Sequence, residues 1–150
     1  MREARGILSW VLALFLAAMF LWIADLSLFP ATAGKNVIFP MLAEKSEYYL
    51  FEPTGRYVVG LLHVVTALLL IVPWSRRIGA ILAFLIAVGA IAAQLTWIGM
   101  SLPTEVGAKT TDGGQLFYLT VGLAVAALVL AMIHPGKDRS DKASGNYYGR

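Results

Sequence analysis

Four apolar runs, each close to the length that carries an α-helix across a bilayer, dominate the chain. They occupy residues 7–29, 56–74, 78–100 and 115–134. At a rise of about 1.5 Å per residue, roughly 20 residues cross a hydrocarbon core about 30 Å thick. Inside lipid the backbone amides find no water, so an open segment must close its own hydrogen bonds as a helix. The alternating pattern of a membrane barrel is not seen. The expectation is an all-α, integral membrane four-helix bundle in one domain, residues 1–136, followed by a disordered tail, residues 137–150.

Composition supports this reading. Apolar residues make up 59% of the 150 residues and charged residues 14%, against roughly 25% charged in soluble domains. So few charges cannot cover the surface of a soluble protein of this size. With no cysteine, disulfides and thiolate metal sites are excluded. The formal charge of +3 does not point to nucleic acid, because the basic residues lie in short loops and tails, where a topology signal places them.

Helix breakers separate the runs. Pro30 and residues 31–34 end the first, and Pro53 opens the second. The short turn around Pro73 makes an antiparallel hairpin of the second and third helices. Pro103 and Asp112-Gly113-Gly114 bracket the third loop, and Pro135-Gly136 stops the fourth helix. Eight basic residues (Arg2, Arg5, Arg76, Arg77, Lys137, Arg139, Lys142, Arg150) fall on one side of this topology. Four (Lys35, Lys45, Arg56, Lys109) fall on the other, which favours both termini in the cytoplasm. Ala31-Thr32-Ala33 has the small residues of a signal-peptide cleavage site, but the apolar run before it exceeds the usual 7–15 residues, and the uncleaved helix is the better reading.

Polar side chains at hydrocarbon depth are costly and therefore informative. Counting rises places His63, Gln94 and Asp25 in the outer half of the bundle, with Tyr118, Gln115 and Thr120 of the last helix at similar depth. His63, Gln94, Asp25 and Tyr118 form a candidate polar pocket, in which a histidine could relay protons or hold a quinone carbonyl. The same residues equally suit hydrogen bonding between helices, and Asp25 lies near enough to a helix end to reach the headgroups. His134, ending the last helix, complements the helix dipole. Small residues spaced by four on the third helix (Gly79, Ala83, Ala87; Gly89, Ala93) read as internal packing, with a homo-oligomer contact as the alternative. Trp10, Trp22, Trp74 and Trp97 lie mostly toward helix ends, as interfacial aromatics do. No phosphate-binding loop, dinucleotide fingerprint or zinc-protease motif is present. Two distant histidines cannot ligate one haem or metal, so no intrinsic cofactor and no metal site are expected.

One stretch is recognisable. Glu52-Pro53-Thr54-Gly55-Arg56-Tyr57-Val58-Val59-Gly60-Leu61-Leu62-His63, running on to Pro73, resembles the second helix of DoxX-like membrane proteins. Gly79-Ala80, Gly89-Ala90-Ile91, Gln94-Leu95-Thr96, Gly99 and Asp112-Gly113-Gly114-Gln115-Leu116-Phe117 continue the similarity over about residues 52–133. The resemblance implies a four-helix protein of a bacterial inner membrane. Some family members are named as small subunits of quinol oxidases or thiosulfate:quinone oxidoreductases. The chain departs from that pattern where His63 stands for a usual glutamate and Gln94 for a frequent histidine. Asp25 and Ser27 occupy the neighbourhood of a common lysine.

Three functions follow as expectations. The first is a non-catalytic accessory subunit docked on a larger quinone-linked membrane complex through the loop 31–52, with Phe39, Tyr48, Tyr49 and Phe51. The second is a small redox protein binding quinone near His63, Gln94 and Tyr118. The third, an oligomeric transporter, ranks last because no line of charge crosses the bilayer.

Overall fold

The computed structural model describes residues 2–29 and 36–133. The break expected at residues 30–34, His134 and the tail 137–150 therefore lie outside the described residues. Each apolar run closes its own backbone bonds as a helix. These are α1 (Arg2–Leu28), α3 (Thr54–Ile71), α4 (Arg76–Ala93) and α5 (Gln115–Ile133). All four are long and apolar enough to cross a membrane. A fifth helix, α2 (Ile38–Ser46), and a 3₁₀ turn, Tyr49–Phe51, form in the long connection between α1 and α3. Neither was expected, because nine residues with Pro40 and two charges carry no spanning signal. Pro40 is tolerated there because it sits in the first turn, where its missing N–H is not needed.

The helix limits differ from the apolar runs for local reasons. α1 starts at Arg2, so it carries its polar first turn outside the apolar stretch. α3 ends at Ile71 rather than residue 74, because Val72 precedes Pro73 and is held extended (φ −77°, ψ 119°). α4 passes at Gln94 into a π-helical turn, Gln94–Ile98, that ends at Gly99 with φ 87°.

The helices pack in the cyclic order α1, α3, α4, α5, with α5 closing against α1. The end where α3 turns into α4 is termed the hairpin end, and the opposite end, covered by α2, the cap end. Two contacts fix the register. A Cβ on Gly79 would stand 2.8 Å from the backbone of Leu69 and Leu70, so only glycine lets α4 approach α3 this closely. Gly60 makes the same allowance for Leu28 and Ser27 of α1. The stripe Gly79, Ala83, Ala87 is thus internal packing, whereas Gly89 meets no neighbour.

The apolar core has two parts. The larger joins Ala13, Leu16 and Phe20 of α1 to Ala67 and Leu70 of α3, Ala80 and Ala83 of α4, and Leu123, Ala127 and Leu130 of α5. The smaller lies under the cap, where Leu42 of α2 packs with Val37, Ile98 and Leu102.

Candidate functional site

The expected polar residues separate along the bundle axis. Gly79 stands opposite Leu69–Leu70, and the two helices run antiparallel, so each residue of α4 has a level on α3. Gln94 falls level with the first residues of α3, whereas His63 is the tenth of its 18 residues. The two are about 13 Å apart along the axis at the helical rise. His63 therefore occupies the middle of the bundle rather than its outer half, and makes no direct contact with Gln94. Its Nδ1 lies 2.6 Å from the Val59 carbonyl oxygen, one turn back. A carbonyl there requires the proton on Nδ1, which donates. Its ring packs against Phe20 of α1 at 5.0 Å between centroids. The imidazole is thus held by its own helix on one side and by an aromatic ring on the other.

Gln94 is differently placed. It is 1% exposed, and among the described residues neither its amide oxygen nor its nitrogen has a hydrogen-bond partner. Each such buried group costs about 1–3 kcal/mol. It opens the π turn, a distortion that recurs at functional sites. Asp25 is half-buried and five residues beyond Phe20 on α1, hence about 7 Å nearer the cap. Tyr118 is 71% exposed and faces away from the interior, as does Gln115, while Thr120 donates to the Leu116 carbonyl of its own helix at 2.8 Å. Among the described residues no three His, Asp or Glu side chains come together as a metal site requires.

Two buried arginines organise the ends, and sequence reading treated both only as topology charges. At the cap end Arg56 is 8% exposed. Its Nε donates to both carboxylate oxygens of Glu52 at 2.8 and 3.1 Å, and its Nη1 to the Ser27 carbonyl at 2.6 Å. The guanidinium thereby satisfies one of the carbonyls left open where α1 ends. Asn36 adds a bond from Nδ2 to Ser27 Oγ at 3.2 Å. Glu52 stands in extended backbone (φ −131°, ψ 123°) ahead of α3, so the helical spacing rule does not account for the pair.

At the hairpin end Arg76 is 2% exposed. Its Nε donates to the Leu70 carbonyl at 3.0 Å and its Nη1 to Ser9 Oγ at 3.3 Å, and its face covers the Trp10 ring at 3.8 Å. Its Nη2 has no partner among the described residues. Ser9 lies 67 residues away in sequence, and no spacing rule reaches that far.

Asp112 orders the loop that leads into α5. Its carboxylate accepts from the backbone N–H groups of Leu102 (2.8 Å), Gly114 (2.9 Å) and Leu116 (3.0 Å). Burial acts to raise its pKa, but the donors of Leu116, Gly114 and Leu102 together hold it below the ordinary carboxylate value.

The connection to α3 divides the expected docking loop in two. Phe39 is a buried residue of α2 and Phe51 packs partly into the cap core, so these two face inward rather than outward. Tyr48, Tyr49 and Leu50 stand exposed, Tyr49 at 79%. The tip is held by its own bonds: Ser46 Oγ donates to the Leu42 carbonyl at 2.5 Å, and the Phe51 N–H to the Tyr48 carbonyl at 3.1 Å.

Comparison with known proteins gives no match: no family model, no curated protein and no solved structure aligns significantly with the chain.

Proposed function

We propose that this chain is a DoxX-like integral membrane protein that acts as a non-catalytic subunit of a larger quinone-linked complex. In this reading the hairpin end and both termini face the cytoplasm of a bacterial cell, and the cap faces out of its inner membrane. The observation that carries it is the Tyr48-Tyr49-Leu50 tip. Three large side chains stand exposed outside every candidate span, in a connection ordered by its own hydrogen bonds. Tyrosine is among the residues that dominate binding energy at protein interfaces, and an ordered tip loses little freedom on docking. Glu44, Lys45 and Glu47 around it supply the polar rim.

The test is purification in mild detergent, with everything that accompanies the chain analysed by mass spectrometry. A partner subunit in equal amount, lost from the Tyr48→Ser/Tyr49→Ser variant, is the expected result. A chain that emerges alone and monomeric from native membranes sinks the proposal.

A second reading rests on Gln94. A buried amide with both ends unpaired among the described residues, in a π turn under the cap, offers a donor for the carbonyl of a lipid-soluble quinone. Quinone recovered with the wild-type chain and missing from Gln94→Leu would bring this reading forward. Equal recovery from both would remove it.

A further inference from the structure

The buried cation at the hairpin end lacks something that its counterpart at the cap end possesses. Arg76 is almost wholly enclosed, yet its partners are a carbonyl, a hydroxyl and a tryptophan face, all uncharged. No carboxylate of a described residue lies within ion-pair distance of it, and its Nη2 donates to nothing there. A charge taken out of water in this way calls for a compensating charge close by.

The surroundings specify the sign and the source of that charge. Ser9 of α1 meets Arg76, so the first two turns of α1 continue past the α3–α4 turn. Arg5, four residues before Ser9, lies on the same face one turn further out and is exposed. Arg77 is exposed beside Arg76 at the start of α4. Glu3 is six residues from Ser9 and falls on another face of α1. Among the described residues, the corner between α1 and the turn therefore gathers Arg5 and Arg76, with Arg77 on the adjacent face of α4 and no acidic side chain on the face of Arg5 and Ser9.

We propose that this corner binds the headgroup phosphate of an anionic phospholipid, held by Arg5 and Arg77 and serving as the counter-charge of buried Arg76. The proposal rests on the bilayer reading but not on any partner subunit. Trp10 and Trp74 are exposed at this level, 43% and 83%, and mark the headgroup boundary, where tryptophan concentrates. Guanidinium groups match phosphate oxygens with paired donors, and basic pockets between membrane helices select anionic headgroups. A lipid rather than a free anion fits because exposed Leu14 and Ile81, one turn inward of Trp10 and Arg77 on the same helix faces, continue the corner along the acyl chains.

The experiment is native mass spectrometry of the full chain in detergent, titrated with phosphatidylglycerol or with phosphatidylcholine of the same acyl chains. Each arginine near a membrane surface strengthens anionic-lipid binding about fivefold, so the Arg5→Gln/Arg77→Gln variant should lower phosphatidylglycerol affinity about thirtyfold. Phosphatidylcholine binding should not change. Both side chains are exposed, and an unchanged circular dichroism melt confirms that the variant folds. Equal binding of the two lipids, or an undiminished preference in the variant, overturns the proposal. Displacement of phosphatidylglycerol by inorganic phosphate at the same concentration also overturns it, because the corner would then take a free anion.

Discussion

Arg56 and Arg76 invite comparison because they do the same mechanical work at opposite ends of the bundle. Each is buried, each bonds α1 to the α3–α4 pair, and each has an aromatic ring beside its guanidinium, Tyr57 at 4.6 Å and Trp10 at 3.8 Å. They differ in one residue. Glu52 neutralises Arg56 within the chain, and among the described residues no carboxylate does this for Arg76. A cation with its counter-charge in the sequence gives a self-contained joint, whose strength travels with the protein into any detergent or lipid. A cation without one gives a joint whose strength depends on the anions around it.

The largest expected effect comes from breaking the complete joint. Arg56→Met removes the bond to the Ser27 carbonyl and leaves Glu52 without its cation. It should cost about 3 kcal/mol, the lower end of the range for splitting a buried pair, because Glu52 is partly exposed and can rehydrate. Equilibrium unfolding in mixed micelles measures it, and a loss below about 1 kcal/mol would mean that the pair is no more than a surface contact.

Next in size is the loop at the cap end that an anion organises. Asp112→Ala should cost about 1–2 kcal/mol, as removing a helix-capping carboxylate does. The pH dependence follows from the lowered pKa of Asp112. Its contribution is fully present above the ordinary carboxylate value and is lost as pH falls through the lower value of the folded state. Amide exchange at Leu102, Gly114 and Leu116 should therefore accelerate only in strong acid, beyond the intrinsic pH dependence of exchange. In Asp112→Asn that extra step should vanish, and a step that persisted would assign it to another group.

A smaller effect sharpens the contrast at the hairpin end. Arg76→Met, close in volume and uncharged, should change stability by less than about 1 kcal/mol in neutral detergent, since replacing an uncompensated buried charge by an apolar side chain is often neutral or favourable. If it costs as much as Arg56→Met, the two joints are equivalent and the distinction fails. Smallest of all, Tyr118→Phe should leave the unfolding midpoint within about 0.5 kcal/mol of wild type, because the side chain is exposed and outside both joints.

Much of the architecture is legible in the apolar runs, because a spanning helix must be continuous and its breaks are marked by Pro73, Pro103 and the glycines before Gln115. The cap was not. α2 is short, holds Pro40 and buries Leu42 against Ile98 and Leu102, more than fifty positions away, so its stability comes from packing rather than from its own pattern. The candidate site was legible by residue type and misread by place. His63 and Gln94 do lie inside the bundle, but the pairing of Gly79 with Leu69 and Leu70, which the sequence does not reveal, separates them by eight or nine levels. Arg56 and Arg76 were visible as charges. That they are buried depends on Ser27 and Ser9, which the chain brings to them from 29 and 67 residues away.

The closed ring of helices also dictates an order of assembly. α3 and α4 leave the ribosome as near neighbours, joined by four residues, and can pair at once through Gly79. α1, made earlier, finds α3 only after the 25 residues of the cap connection have followed. α5 follows and supplies Leu123, Ala127 and Leu130 to the main core, touching α1. Until it arrives, a three-helix intermediate holds open the side of its core that Leu123, Ala127 and Leu130 fill, so a chain cut short before Gln115 would expose Ala13, Leu16 and Ala83 there.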